Sequence, residues 1–458
     1  MSTFSFLDRS RSVAQPGFSR WLVPPAALAV HLSIGQVYAF SVFKNPLLAT
    51  RGADGSVWTL KEVGYIFSIA IAVLGLSAAL FGKWLETAGP RKAMFAAACC
   101  FGLGFEIAAA GASTHQLWLI YLGYGVVGGI GLGLGYISPV STLIKWFPDR
   151  PGLATGLAIM GFGGGAMIGS PLGTKLMAFY KAAGHAPIPH AWITMGILYF
   201  LFMQIGAFMV RVPADGWRPA GWTPPIKQSA MISSHNVEVN TAMRTPQFYF
   251  LWLVLALNVT AGIGILEQAS PMIQDLFHGQ VTAVAAAGFV GVLSLFNMGG
   301  RFIWASCSDF LGRKPTYIIF FVLGTVLYFL LPDTGTLHLD SVALFVLIAG
   351  VLISMYGGGF ATIPAYLRDM YGPYNVSAIH GRLLTAWSVA GIVGPLIVNG
   401  ILDHYNAAHM PREQAYPLIL RIMAGLLTVG FIANLLVRPV AHRFWIKEQP
   451  AKAAAVAH

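Results

Sequence analysis

Charge is scarce in this chain. Lys, Arg, Asp and Glu make up 10% of its 458 residues, against about 25% in a typical soluble domain. That shortage excludes an ordinary water-facing surface. Acids are rarer than bases, 17 against 28, which leaves a formal net charge of +11. Cysteine is nearly absent. Cys99 and Cys100 fall in one apolar run and Cys307 at the end of another, so no disulfide is expected. There is no paired Cys-x-x-Cys and no His-x-x-x-His, so neither a metal nor a cofactor is expected. No nucleophile–base–acid set can be assembled from the scattered histidines, which argues against an enzyme. The opening stretch, MSTFSFLDRSRSVAQPGFSR, is polar and basic and shows no secretory-signal pattern.

Apolar residues fill the space. The hydrophobic fraction is 56% and the mean hydropathy +0.68. A helix needs about 20 apolar residues to cross a bilayer. The runs predict twelve spans, at roughly 20–47, 60–83, 92–112, 115–145, 151–180, 190–210, 246–274, 282–307, 314–332, 341–367, 375–402 and 414–437. The expected class is therefore an all-α, multi-pass integral membrane protein. The long polar insert rich in Pro, Gly and Trp divides the spans into two sets of six. The domains read as an N-terminal tail 1–19, a first half 20–210, a linker 211–245, a second half 246–437 and a C-terminal tail 438–458. With both termini in the cytoplasm, about 20 Lys and Arg fall inside and about 7 outside. The inside-positive pattern fits an inner (plasma) membrane of a bacterium. It assigns the net charge to the lipid surface rather than to nucleic acid.

One basic residue has no place in a loop, a tail or a helix end. Arg301 lies within AVAAAGFVGVLSLFNMGGRFIWASCSDF. An arginine at that depth costs about 2.5–3.5 kcal/mol on insertion scales and faces a polar partner or a watery cavity. It is a candidate site for an anion; the competing reading has it reach towards Asp309. Asn297 lies one turn earlier on the same face and can position the guanidinium or bond a ligand. The deep acids are Glu106 and Glu267, candidates for proton coupling together with His31, which titrates near neutrality. Each also has a plain structural reading. Glu267 either pairs with Arg301 when the site is empty or lines an outer vestibule. His31, Gly35 and Tyr38 share one face of the first span, and Gln36 points elsewhere. The runs GVVGGIGLGLG and GFGGGAMIG lack the strand-then-helix setting of a phosphate loop and read as close helix packing.

Two short turns repeat. GKWLETAGPRK, with Gly82, Glu86, Gly89, Arg91 and Lys92, follows the second span. SCSDFLGRK, with Asp309, Gly312, Arg313 and Lys314, follows the eighth. The fifth-span run GLATGLAIMGFGGGAMIGSPL is echoed by GRLLTAWSVAGIVGPL in the eleventh. Two similar halves are what an alternating-access transporter needs.

These loops resemble the signature G-x-L-x-D-R-x-G-R-R/K of the major facilitator superfamily, with Glu86 and Thr87 departing from its Asp and Arg. Within it, the chain resembles the oxalate/formate antiporter family, a relative of the monocarboxylate transporters. The likeness is carried by GQVYAFSVFKNPL, GYISPVSTLIKWFPDRPGLATGLAIMGFGGGA, RTPQFYFLW and FNMGGRFIWASCSD. The resemblance implies a twelve-helix bundle of two halves around a central cavity. It also implies that Arg301 binds substrate carboxylate and that Tyr38 lines the cavity. Tyr136, Tyr356, Phe360 and Trp387 are the further candidates, as an aromatic box around a small anion. The family's oxalate member carries a lysine in the eleventh span, where this chain has Trp387. One buried cation matches one carboxylate, since an unpaired second charge is costly in a desolvated site. The expected function is thus secondary transport of a small monocarboxylate such as formate, lactate or pyruvate, rather than oxalate, by antiport or proton symport. The expected partners are a small organic anion and the bilayer, with the protein working as a monomer. A transporter of drugs or sugars, or a membrane solute sensor, is the alternative.

Overall fold

Chemistry in the sequence sets the helix ends. In the computed structural model, which describes residues 5–214, 216–223, 231–233, 235–336 and 342–446, Thr59 and Glu62 form a reciprocal capping box that starts the helix Leu60–Ala88. Proline opens the helices at Pro90, Pro151, Pro187 and Pro246, where its missing N–H has no intrahelical partner to lose. The repeated loops end one helix and begin the next on a single residue. Gly89 has φ +84° and Gly312 φ +88°, with ψ of 162° and 153°. Only glycine adopts that backbone without strain, so the two loops are the same turn.

Among the described residues these make twelve long helices, three of them built in pieces. α1 runs from Val23–Ile34 through a 3-10 stretch, Gly35–Ala39, into Ser41–Leu48. α2 is Leu60–Ala88, α3 Pro90–Ser113, and α4 joins Leu117–Ile120 to Gly128–Trp146 through a π-helical segment, Tyr121–Val127. α5 is Pro151–Ala182, α6 Pro187–Met209, α7 Pro246–Leu276, α8 Ala283–Leu311 and α9 Arg313–Leu330. α10 is Val342–Tyr371, α11 comprises Val376–Leu383 and Thr385–Ala407, and α12 is Ala415–Leu436. Among the described residues, 11 helices are long and apolar enough to cross a membrane. α8, with 29 residues, is the other long helix and carries Arg301. No named strand occurs among the described residues, only isolated bridges, Val13↔Val212 and Val237↔Trp445.

The halves meet along two seams. α5 packs on α8 and α10, and α2 on both pieces of α11. Lipid supplies no hydrophobic drive between helices, so close packing of small residues holds such seams. Residues 1–4 and 447–458 of the expected tails, and parts of the expected linker, lie outside the described residues. Linker residues Ser233 and Val237 donate backbone bonds to Asp369 and Tyr371 at the end of α10, at 2.6 and 2.9 Å.

Candidate functional site

α8 delivers Arg301 to the seam between the halves, and the residue is completely buried. Two glycines make room for it. A Cβ at Gly163 of α5 would lie 3.0 Å from Arg301 Nε, and one at Gly357 of α10 would lie 2.6 Å from Asn297 Oδ1. Any larger residue at either position would push on the guanidinium or on its support. Asn297 accepts a hydrogen bond from Arg301 Nε at 2.9 Å, one helical turn away. The guanidinium carbon lies 5.5 Å from the Phe162 ring centroid and 5.1 Å from that of Phe360.

These contacts offset burial of the charge through its Nε edge and two rings. A desolvated cation–π contact contributes about 2 kcal/mol and a hydrogen bond to a charged group about 1.5–3 kcal/mol. Burying an ion costs several kcal/mol. Neither Nη1 nor Nη2 meets a hydrogen-bond partner in good geometry, though the Tyr38 and Tyr136 hydroxyls stand beside the guanidinium. The unsatisfied part of Arg301 is thus the two-pronged edge that fits a carboxylate.

Aromatic residues from both halves close around it. Tyr38 of α1 and Tyr356 of α10 join their hydroxyls across the seam at 2.7 Å. Tyr136 of α4 packs on Phe162 and Trp387, with ring centroids at 5.5 and 5.3 Å. Trp387 lies 4.3 Å from Phe360 and 5.2 Å from Phe162. Tyr136 Oη and Trp387 Nε1 are buried without a hydrogen-bond partner. The structure therefore brings together Arg301, Asn297, Tyr38, Tyr136, Tyr356, Phe360 and Trp387.

Two neighbours escaped the sequence reading. Phe162 packs against Arg301, Tyr38, Tyr136 and Trp387, yet a phenylalanine in an apolar helix gives no signal by itself. His380, in the first piece of α11, is buried with its Nε2 unpartnered and its ring 6.0 Å from Tyr136. Its spacing of two turns from Trp387 was the available clue.

The proton-coupling candidates separate. His31 sits behind Tyr136, its Nδ1 against the Ala158 carbonyl and its Nε2 3.1 Å from the Tyr136 carbonyl. Glu106 is not at this site. It lies on the seam between α3 and α6, where a Cβ at Gly196 would stand 3.0 Å from its carboxylate. Nor does Glu267 pair with Arg301. Its Oε1 lies 3.8 Å from Lys44 Nζ of α1 and accepts a bond from Asn399 of α11 at 2.8 Å. Gln36 takes a bond from Tyr124 Oη at 3.4 Å, away from the guanidinium.

The repeated loops behave unequally. Asp309 does not face Arg301. Its carboxylate accepts from the backbone N–H groups of Gly152 and Leu153 at 2.8 and 2.9 Å, so the end of α8 caps the start of α5 across the seam. Arg313 bridges Asp309 and Asp369, at 2.6 and 3.0 Å. Lys314 donates to the Leu435 and Val437 carbonyls at the end of α12. In the first loop Glu86 turns to Lys145 of its own half at 3.1 Å, and Arg91 to the Phe6 carbonyl at 3.2 Å. Lys92 is half-buried in the same loop. Gly82 brings α2 against the start of α11, where its Cβ would lie 3.1 Å from Ala378 Cα.

A model of the Major Facilitator Superfamily matches residues 17–355 and 300–457. The chain belongs to that superfamily. It is 26% identical over 375 residues to the MFS-type transporter YhjX of Escherichia coli, covering 82% of this chain and 86% of the relative. It is also 26% identical over 378 residues to the oxalate:formate antiporter of Oxalobacter formigenes, covering 82% and 83%. The fold is shared with the human organic anion transporter MFSD10, at a TM-score of 0.66 and 15% identity over 92% of this chain and 100% of that one. Fold and relatives are those of transporters of the superfamily, not of enzymes.

Proposed function

We propose that the protein is a secondary active transporter of a small monocarboxylate, of the formate, lactate or pyruvate type, working by alternating access as an antiporter or proton symporter. The observation that carries this reading is Arg301: fully buried between the halves, paired with no carboxylate among the described residues, and with only tyrosine hydroxyls beside its terminal nitrogens. An anion that neutralises it lowers the cost of closing the halves around the site. Only such a differential interaction lets a ligand shift a conformational equilibrium. The resemblance to the oxalate:formate antiporter supports a carboxylate as the cargo. Trp387, a neutral residue, supports a single negative charge.

Both termini are placed in the cytoplasm on the distribution of basic residues. The end of the bundle held by Asp309, Arg313 and Asp369 is then the cytoplasmic end, and Lys44–Glu267 stands at the outer end. Inter-half contacts at both ends describe a closed intermediate.

Uptake and counterflow in reconstituted vesicles test the reading. Arg301→Ala is expected to abolish carboxylate transport and ligand-induced thermal stabilisation while the protein still inserts, since losing the charge eases insertion. Arg301→Lys is expected to serve poorly, because it lacks the planar fork. Near-normal carboxylate uptake by Arg301→Ala refutes the single-cation site. Uptake of a drug or a sugar with no response to carboxylates refutes the cargo.

A further inference from the structure

A second arginine, far from the central site, is buried without a counter-charge. Arg91, at the start of α3, is 7% exposed. Its Nη1 donates to the Phe6 carbonyl at 3.2 Å, and its Nε is buried with no hydrogen-bond partner. Among the described residues no carboxylate pairs with it; Glu86 of the same loop is turned to Lys145. Its charged neighbour is another cation, Arg211. The local backbone adds to the excess. Arg91 and Lys92 are the second and third residues of α3, whose first turn holds no acid and whose cap, Gly89, gives no side-chain hydrogen bond. That end of a helix favours anions and disfavours cations.

The second half satisfies the matching position differently. Lys314 follows Gly312 as Arg91 follows Gly89, two residues on. It donates to the carbonyls of Leu435 and Val437 at the end of α12, at 2.7 and 2.8 Å. The matching carbonyls at the end of α6, Phe208 and Val210, are already taken by Arg211 Nη1, at 2.7 and 2.9 Å. Arg91 therefore has no helix end to compensate it, and two guanidiniums adjoin without an acid. Beside them the surface is apolar. Phe6 packs on Phe95 and Phe208 with ring centroids at 6.3 and 6.1 Å, and Phe6, Phe208 and Met209 are exposed. Both spans end here, where lipid headgroups meet acyl chains. We propose that Arg91 and Arg211 hold the phosphate of a net-anionic phospholipid, its acyl chains lying over Phe6, Phe208 and Met209. A guanidinium fits a phosphate with two parallel bonds. A choline or ethanolamine headgroup would bring its own cation to a place with no acid to receive it. A soluble phosphate would gain nothing from the apolar face.

The test titrates the purified full-length protein, in a neutral detergent, with short-chain phosphatidylglycerol, phosphatidylcholine and phosphatidylethanolamine, and separately with inorganic phosphate. Binding is read by native mass spectrometry and by thermal stabilisation. The wild-type protein is expected to bind phosphatidylglycerol about tenfold or more tightly than either zwitterionic lipid, and more tightly than inorganic phosphate by a similar factor. Arg91→Gln and, independently, Arg211→Gln are each expected to weaken phosphatidylglycerol binding about tenfold. Lys83→Gln removes an exposed cation at the same end of the bundle and is expected to weaken it less than about twofold. Either arginine variant suffices if the other fails to fold, and the headgroup comparison needs neither. Equal binding of phosphatidylglycerol and phosphatidylcholine overturns the proposal. So does a loss in Lys83→Gln as large as in the arginine variants, or unchanged binding in both folded arginine variants. Inorganic phosphate bound as tightly as phosphatidylglycerol, and lost in Arg91→Gln, overturns the lipid in favour of a soluble anion.

Discussion

Asp309→Asn perturbs the closed end of the bundle at its most connected point. The carboxylate takes two backbone N–H groups at the start of α5, at 2.8 and 2.9 Å, and pairs with Arg313 at 2.6 Å. It is nearly buried, with its side chain 10% exposed. Hydrogen bonds to a charged group contribute about 1.5–3 kcal/mol each, and a negative charge at a helix N-terminus up to about 2 kcal/mol. Asparagine keeps one acceptor oxygen and loses the charge, and Arg313 retains Asp369. The net loss is about 2–3 kcal/mol, confined to the state in which the ends of α5 and α8 touch. That shifts the balance between closed and open ends by roughly 30- to 150-fold. Ser377 reports on it. This residue is 2% exposed, in the first piece of α11 beside Gly82. With Cys99, Cys100 and Cys307 replaced, Ser377→Cys is expected to react with a maleimide at least tenfold faster in the Asp309→Asn background. An unchanged rate in a folded, ligand-responsive protein would show that the Asp309 contact does not hold this end closed.

Glu267→Gln should loosen the opposite end. The Lys44–Glu267 pair is partly exposed and 3.8 Å apart, so its loss is worth at most about 1 kcal/mol and should raise the open population only a few-fold. Spin labels at Leu48→Cys and Gln274→Cys, at the ends of α1 and α7, would report this as a longer-distance component; an identical distance distribution counts against a gating role. Topology is testable separately. Arg218→Cys, exposed in the linker, should resist an impermeant thiol reagent in sealed cells and react after permeabilisation. Labelling from outside would invert the orientation.

Much of the site was legible because a membrane makes misplaced polarity conspicuous. Arg301 stands out in an apolar run because burial of its charge demands a partner. Asn297 followed from helical spacing and indeed holds Nε. The aromatic candidates came from the resemblance as much as from the residues, and Phe162 was missed because nothing in α5 distinguishes it. Glu106 shows what spacing leaves open. A deep acid reads the same whether its helix turns it to the seam between the halves or to α6, and α3 turns it to α6.

By itself, the sequence determined the class, the number and approximate bounds of the spans, and the repeated turn at Gly89 and Gly312. Local physics suffices for these, since a bilayer requires runs of apolar residues and a positive φ favours glycine. Which groups meet across the seam only the tertiary structure decided. Glu267 found Lys44, Asp309 found the start of α5, and Trp387 came to share two rings with Arg301. Such pairings depend on how each helix is rotated and on where glycines let backbones approach, as at Gly163 and Gly357. Neither is written in the spacing of any one helix.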